Sequence, residues 1–294
     1  MLLYLGRIPT LIVSSAEMAE QIMKTNDLIF ASRPSMTAAK ELLYGCTDVA
    51  FASYGLHGKL KGNSGELDRF LDQKDSNRDI HLTRDNIKAI ILDMFTSGTD
   101  TTALTLEWVM AELAKHPKCD EESQGVVRRV VDVKANISEE HLCQLNYMKS
   151  IFKETLRLHP PAPLLVPRES TTNVMIQNFH IPPKTRVFIM HMQLEGTPHH
   201  GKIQRNFFQK DMKTILLISR GKIFQFIPFG AGRRGCPGFH LPLHHLNLLL
   251  PIYLLVRWEL PQGVTEEDLD MSETLGMTVH KKLPLYFVPK HHFS

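Results

Sequence analysis

Cysteine is scarce in this 294-residue chain, and no two cysteines have the C-x-x-C spacing of a zinc module. The four that occur, Cys46, Cys119, Cys143 and Cys236, outline no disulfide framework, so we expect a protein of a reducing compartment. Runs of lysine and arginine are also lacking, and 34 basic against 31 acidic side chains leave a net charge of only +3. This balance argues against nucleic acid as a partner.

Long apolar runs are missing too. Gly6, Arg7 and Pro9 interrupt the first apolar stretch, LLYLGRIPTLIVSS, which is too short for a membrane span and lacks the layout of a signal peptide. We therefore expect no anchor in this chain and at most a peripheral membrane contact. The 43% hydrophobic content is nevertheless enough to bury a core.

The spacing of apolar residues predicts mostly helices. A hairpin and a helix are expected within residues 1–55, followed by a charged, glycine-containing connector over 56–82. Further helices are predicted from Thr83 to His116 (long and mostly buried), from Ser138, and from Tyr147 to Leu158. Alternation in VMIQNFHIPPKTRVFI predicts a hairpin at a sheet edge. The expected fold class is therefore mainly α with a small β-sheet.

Residues 224–238, FQFIPFGAGRRGCPG, carry the strongest chemical signal. Four glycines and two prolines surround Cys236, so the backbone must turn tightly. Arg233, Arg234 and the N–H groups of a glycine-rich loop favour a thiolate, which is the form of cysteine that binds a metal. On spacing alone, a surface loop with an incidental cysteine is an equally good interpretation.

The pattern Phe229-x-x-Gly232-x-Arg234-x-Cys236-x-Gly238 resembles the haem-binding signature of the cytochrome P-450 monooxygenases. The resemblance implies that these five residues bind the cofactor and that Cys236 is the metal ligand, the axial thiolate of the haem iron. In this family the thiolate donates electron density to the iron. The flanking text, HPPAPLLVPRES and HIPPKT, looks most like the plant microsomal members.

Two further motifs follow in the order expected for that family. Glu154 and Arg157 match its Glu-x-x-Arg motif, and their spacing of one helical turn lets them pair as a structural element. The segment SGTDTT resembles the family's Ala/Gly-Gly-x-Asp/Glu-Thr-Thr, with Ser97 as a mild departure. Because polar residues in an apolar helix cost helix propensity, a functional reason is favoured. The resemblance makes Asp100 and Thr101 catalytic, as a proton relay.

The resemblance also implies the rest of the system. Arg168, in VPRES, and Arg234 would pair with the haem propionates. The implied function is a monooxygenase that inserts one oxygen atom from O₂ into a small lipophilic substrate. Its partner would be an NADPH-dependent flavoprotein reductase, so that NADPH acts only indirectly. Family members reside at the endoplasmic reticulum membrane, whereas a chain without an anchor would be cytoplasmic.

The resemblance covers nearly the whole chain, but in pieces. After Phe51-Ala-Ser-Tyr54-Gly55 the family continues into a helix whose Trp and Arg help to hold the haem, whereas this chain changes to LHGKLKGNSGELDRFLDQ. We therefore expect a single, incomplete cytochrome P-450 fold over residues 1–294. Its parts would be a β/helix remnant, a connector and a haem-binding core, at 1–55, 56–82 and 83–294.

Residues 190–223 do not match the family as they stand. If synonymous codons are chosen freely, the nucleotides that encode these residues can be read in a shifted frame as an amino-acid sequence close to that of the family. The same holds for residues 239–251. Pro242 and Pro251 lie in what should be one helix, each at a cost of about 3 kcal/mol. These features suggest a damaged or mis-assembled gene, so the alternative to a monooxygenase is a non-catalytic fragment.

Overall fold

The structure is a computed structural model that describes residues 1–55, 83–130, 141, 144–190, 224–238, 249–274 and 276–290. These residues form two compact units, which we describe separately. The first unit contains the described residues of Met1–Thr99, Leu164–Leu194 and Phe229–Pro237, and the second contains those of Asp100–Pro163, Glu195–Pro228 and Gly238–Ser294. The single domain expected from the sequence, with its three-part division, stays a prediction.

Helices dominate both units. They are α1 (Ala16–Glu20), α2 (Thr37–Leu42), α3 (Arg84–Lys115), α4 (Pro117–Val130) and α5 (Asn146–Leu158), with a π-helical turn at Gln21–Thr25 and 3-10 turns at Gly232–Arg234 and Glu266–Asp268. The strands are short: β1 (Leu2–Leu5), β2 (Ile8–Val13), β3 (Arg168–Glu169), β4 (Val174–Ile176), β5 (Phe179–Ile181), β6 (Arg186–Ile189), β7 (Arg257–Glu259), β8 (Glu273–Thr274), β9 (His280–Lys281) and β10 (Val288–Lys290). This composition confirms the expected fold class, mainly α with a small β-sheet.

A four-stranded sheet in the order β1-β2-β6-β3 organises the first unit. β1 and β2 pair antiparallel, which confirms the hairpin expected at the start of the chain. β6 then pairs in parallel with β2, and β3 lies antiparallel on the other side of β6. Arg168, the first residue of β3, is thereby fixed opposite Val187.

The hairpin predicted from VMIQNFHIPPKTRVFI is shorter than expected. Only β4 and β5 form it, and the turn residues Gln177 and Asn178 both have positive φ, 48° and 65°. Positive φ at both central residues is typical of the tight turns that join antiparallel strands. β6 leaves the hairpin and pairs with β2 instead, because its buried residues Val187 and Ile189 complete the larger sheet.

The long helix α3 begins at Arg84, one residue after the predicted start, but its two halves differ in burial. Four apolar side chains of its first half are between 46% and 68% exposed: Ile87, Ile91, Met94 and Phe95. In the second half, Trp108 and Val109 are fully buried. The expectation of a mostly buried helix is therefore wrong for the first half, since a helix buries its apolar face only where another element lies on it.

The core of the second unit joins the end of α3 to α4, α5 and the helical residues 249–255. Its buried members are Val109, Leu113, Val127, Leu145, Tyr147, Met148, Ile151, Phe152, Leu250 and Leu254.

Helix α4 was not predicted from the sequence. The helix expected from Ser138, the connector 56–82 and Cys143 lie outside the described residues. No helix in the described part of the chain combines the length and apolarity that crossing a membrane requires.

A charged cluster around His159 ties the segments of the second unit together. The imidazole stacks on the indole of Trp108 with 3.8 Å between ring centres and 2° between ring planes. Its Nε2 lies 2.7 Å from a carboxylate oxygen of Glu112, and its Nδ1 lies 3.1 Å from one of Glu273. Burial lowers the pKa of His159, but the bonds to the two glutamates outweigh it and raise the pKa. The cluster therefore links α3, the end of α5 and β8.

In the first unit, Asp93 of α3 holds the segment that follows α2. One carboxyl oxygen of Asp93 accepts hydrogen bonds from the backbone N–H groups of Val49 and Ala50, at 2.9 and 3.0 Å. Burial, followed by the charge of the fully buried Asp48, raises the pKa of Asp93 to about 7. A proton on Asp93 thus provides a donor for the neighbouring Asp48 carboxylate.

Asp93→Asn is expected to stabilise the protein above pH 7. Because folding raises the pKa of Asp93, its protonated carboxyl group stabilises the folded state fully below pH 4. This stabilisation is lost as the pH rises to 7. An amide at this position keeps an acceptor for Val49 and Ala50 and a donor for Asp48 without titrating. The free energy of unfolding of Asp93→Asn should therefore exceed that of the parent by about 2–4 kcal/mol at pH 8 and match it near pH 4.

Denaturant unfolding at several pH values measures this difference. Asp93→Ala is the control, since it removes the charge and also the acceptor for the two N–H groups, and should be destabilising at every pH. Equal pH dependence of unfolding in the parent and in Asp93→Asn would contradict the raised pKa of Asp93.

Candidate functional site

The glycine-rich loop around Cys236 has the tight backbone that its sequence predicts. Gly230 and Gly232 both have φ of +66°, and the 3-10 turn Gly232–Arg234 follows. The N–H of Gly235 donates to the carbonyl of Gly232 at 2.9 Å, and the N–H of Cys236 donates to the carbonyl of Phe229 at 2.9 Å. The signature residues Phe229 and Cys236 are thus joined through the backbone, and the side chain of Cys236 is exposed.

Gly232 is required by a close contact as well as by its backbone angle. A Cβ atom at this position would lie 1.9 Å from the carbonyl oxygen of Met23, in the π-helical turn Gln21–Thr25. The loop therefore lies directly against that turn, at a distance that only glycine permits. Gly238, the other signature glycine, belongs to the second unit and faces open space among the described residues.

Arg234 anchors the loop from inside the first unit. Its guanidinium is buried and donates to three backbone carbonyls, those of Ala31 at 2.5 Å, Val49 at 3.1 Å and Ala52. Burial, with a smaller contribution from the charge of Arg168, lowers the pKa of Arg234 to about 10. The side chain therefore stays cationic at neutral pH.

Arg168 reaches the same loop from β3. Its Nη2 donates to the carbonyl of Ala231 at 2.7 Å, while Nη1 is buried and has no hydrogen-bond partner among the described residues. Burial lowers the pKa of Arg168 to about 10. An unpaired buried N–H of a cation is costly, so this atom is suited to an anionic ligand.

A third buried arginine, Arg33, was missed by the sequence analysis. Its guanidinium donates to the carbonyls of Ala50, Val166 and Pro167 at 2.7 to 2.9 Å. Burial and then the charges of Arg234 and Arg168 lower its pKa well below the usual value. The only sequence signal was an arginine set among apolar residues in IFASRP.

These three arginines, which we call the arginine cluster, give a test of whether haem fits this chain. Asp48 and Asp27 offset part of the positive charge, but Asp27 also pairs with Arg233 at 3.3 Å. A surplus of buried positive charge remains beside the loop of Cys236. The two propionates of haem are carboxylates, the partners that guanidinium groups bind best. The donor set therefore fits haem.

Glu154 and Arg157 pair as their spacing predicts. Two guanidinium nitrogens of Arg157 donate to the two carboxylate oxygens of Glu154, at 2.8 and 2.7 Å, and the Glu154 side chain is 5% exposed. Such a paired, bidentate geometry is the strong form of an ion pair. The pair lies on α5 in the second unit.

Asp100 and Thr101 also belong to the second unit, on α3. The hydroxyl of Thr278 donates to Oδ2 of Asp100 at 2.9 Å, and the hydroxyl of Thr105 donates to the carbonyl of Thr101 at 2.8 Å. The Asp100 side chain is 45% exposed. The roles predicted for Asp100, Thr101 and the signature residues stay predictions.

Solved structures and a family model agree on the fold. A zebrafish cytochrome P-450 structure with abiraterone superimposes with a TM-score of 0.81 at 19% identity, over 99% of this chain and 96% of that one. The family model described as cytochrome P-450 matches residues 56–287. The chain belongs to the cytochrome P-450 family.

Plant proteins are similar along the sequence. Cytochrome P-450 71A1 of Persea americana is 38% identical over an alignment that covers 100% of this chain and 87% of that protein. Amorpha-4,11-diene 12-monooxygenase of Artemisia annua is 38% identical over 87% of this chain and 52% of that protein. The Persea alignment runs over 436 positions, so at least 142 of them face no residue of this 294-residue chain. Gaps of this size agree with the incomplete fold expected from the sequence.

Gly232→Ala is expected to destabilise the first unit by about 2 kcal/mol or more. The new Cβ would overlap the carbonyl oxygen of Met23, and the φ of +66° is strained for alanine. Gly238→Ala is the matched control, because its Cβ would meet open space, and its unfolding free energy should change by less than about 0.5 kcal/mol. Thermal unfolding of the haem-free chain measures both, and equal effects of the two substitutions would contradict the close contact.

Proposed function

We propose that this chain is a haem-thiolate monooxygenase that inserts one oxygen atom from O₂ into a small lipophilic substrate. Electrons from NADPH would arrive through a flavoprotein reductase, at the endoplasmic reticulum membrane. The observation that carries the proposal is the arginine cluster, because Arg234 belongs to the loop of Cys236 and Arg168 donates to the carbonyl of Ala231 in the same loop. The plant relatives, among them a named monooxygenase, support the reaction class, and they give no support to a non-catalytic fragment.

The residues of the first unit would hold the cofactor. Cys236 would bind the iron through its thiolate, and Arg168 and Arg234 would bind the propionates, with the unpaired Nη1 of Arg168 as a donor. Haem supplies, when bound, the iron at which dioxygen is reduced and activated. The hydrogen bond from the N–H of Cys236 to the carbonyl of Phe229 would hold the Cys236 backbone in place for this role.

Four residues of the second unit would have two roles: Asp100 and Thr101 would transfer protons, and Glu154 and Arg157 would stabilise the fold. Asp100 would pass protons from solvent, to which its side chain is open, toward the hydroxyl of Thr101. Glu154 and Arg157 would be structural, because their charges satisfy each other in a buried place. The substrate would be lipophilic by family.

Cys236→Ser tests the proposed metal ligand. The parent chain, supplied with haem, is expected to show the Soret band of a thiolate ligand in its reduced carbonyl complex, and Cys236→Ser should lose that band, because a serine hydroxyl is not a thiolate. Difference spectra of the purified proteins measure it. Cys46→Ser is the control in the same unit, since burial raises the pKa of the Cys46 thiol and disfavours a thiolate there. A thiolate band that persisted in Cys236→Ser would remove Cys236 from the ligand role.

A further inference from the structure

The turn between β8 and β9 makes a side-chain contact with the polar segment of α3. Thr278, in this turn, donates its hydroxyl hydrogen to Oδ2 of Asp100 at 2.9 Å. Nε2 of His280 lies 3.0 Å from the same hydroxyl oxygen and 3.9 Å from Oδ1 of Asp100. Thr278 and His280 follow Asp100 by 178 and 180 residues along the chain, yet the three side chains form one hydrogen-bonded group in the second unit.

The direction of these hydrogen bonds follows from the chemistry of the groups. A carboxylate only accepts hydrogen bonds, so the single hydroxyl hydrogen of Thr278 points at Asp100. The hydroxyl oxygen is then available only as an acceptor toward His280. His280 must therefore carry a hydrogen on Nε2, and in donating it to Thr278 it fixes the rotation of the hydroxyl.

We propose that Thr278 and His280 are positioning residues that hold the Asp100 carboxylate in one orientation for proton transfer. This inference rests on the proposed function, which makes Asp100 a proton relay. Proton transfer requires hydrogen-bond distance and direction, and a carboxylate that is 45% exposed would otherwise turn among several staggered rotamers. Thr278 restricts the carboxylate, and His280 restricts Thr278.

The turn is held by contacts that do not involve the Thr278 side chain. The backbone N–H of Val279 donates to the carbonyl of Pro161 at 3.1 Å, and its carbonyl accepts from the indole of Trp108 at 3.4 Å. The ammonium of Lys281 lies 5.3 Å from the centre of the same indole. Removing the Thr278 hydroxyl therefore leaves the turn attached, so the loss of one hydrogen bond is tested without loss of the fold.

The rotamer of Asp100 provides a test that needs no haem. Three-bond couplings from Cγ of Asp100 to its backbone nitrogen and carbonyl carbon, measured by NMR on the purified chain, report the population of each χ1 rotamer. The parent and Thr278→Ser, which keeps the hydroxyl, should show one dominant rotamer, whereas Thr278→Val should show averaging over several. His280→Ala should show weaker averaging, because the hydroxyl is present but no longer fixed.

Thr274→Val is the matched control. Thr274 lies on β8, and its backbone pairs with His280 in the same small sheet. Averaging in Thr274→Val equal to that in Thr278→Val would mean that disturbance of the sheet, and not loss of the hydroxyl, moves Asp100, which would overturn the proposal. A single rotamer in Thr278→Val would overturn it as well, and couplings in His280→Ala identical to those of the parent would remove His280 from it.

A second measurement uses the haem-loaded chain with a flavoprotein reductase. NADPH oxidation by Thr278→Val should be slower than in the parent by roughly tenfold, at unchanged haem content, and Thr278→Ser should restore the rate. Parent and Thr278→Val rates that agreed would overturn the positioning role. Failure of the parent to bind haem would contradict the proposed function instead, and the rotamer measurement would still decide the orientation of Asp100.

Discussion

Burial of three guanidinium groups is the constraint on which the first unit depends. Arg33 and Arg234 each donate three hydrogen bonds to backbone carbonyls. A guanidinium is costly to remove from water unless its N–H groups are paired, so these carbonyls must stay where the arginines reach them. The backbone at Ala31 and at residues 49–52, on either side of α2, is thus fixed by arginine side chains, as are the segment before β3 and the loop of Cys236.

Hydrogen bonds to carbonyls satisfy the arginines but do not neutralise them. With pKa values lowered to about 10, Arg168 and Arg234 keep their charges at neutral pH, and each charge also lowers the pKa of Arg33. A ligand with two carboxylates relieves this repulsion in the folded state and has no such site in the unfolded chain. Binding of an anionic ligand at these arginines would therefore stabilise the folded unit.

Local patterns predicted the parts of the fold that local forces determine. The apolar periodicity placed α3 and α5, and the spacing of Glu154 and Arg157 predicted their pairing. The glycines of the loop predicted a tight backbone, although the contact that requires Gly232 is made with Met23, far away in the chain. Arg33 was missed for the same reason: its partner Val166 is 133 residues distant, and a single sequence carries no signal for such a contact.

The polar segment of α3 shows how a sequence argument changes once a partner is seen. The cost of these polar residues in an apolar helix was the reason to assign the segment a function. Asp100 is half-exposed and receives a hydroxyl from Thr278, so this helix tolerates the carboxylate at little cost. The unusual polarity of α3 is therefore weaker evidence for a functional site than the buried charges of the first unit. There, solvent does not reduce the cost of burying a charge, so an anionic ligand has a physical reason to bind.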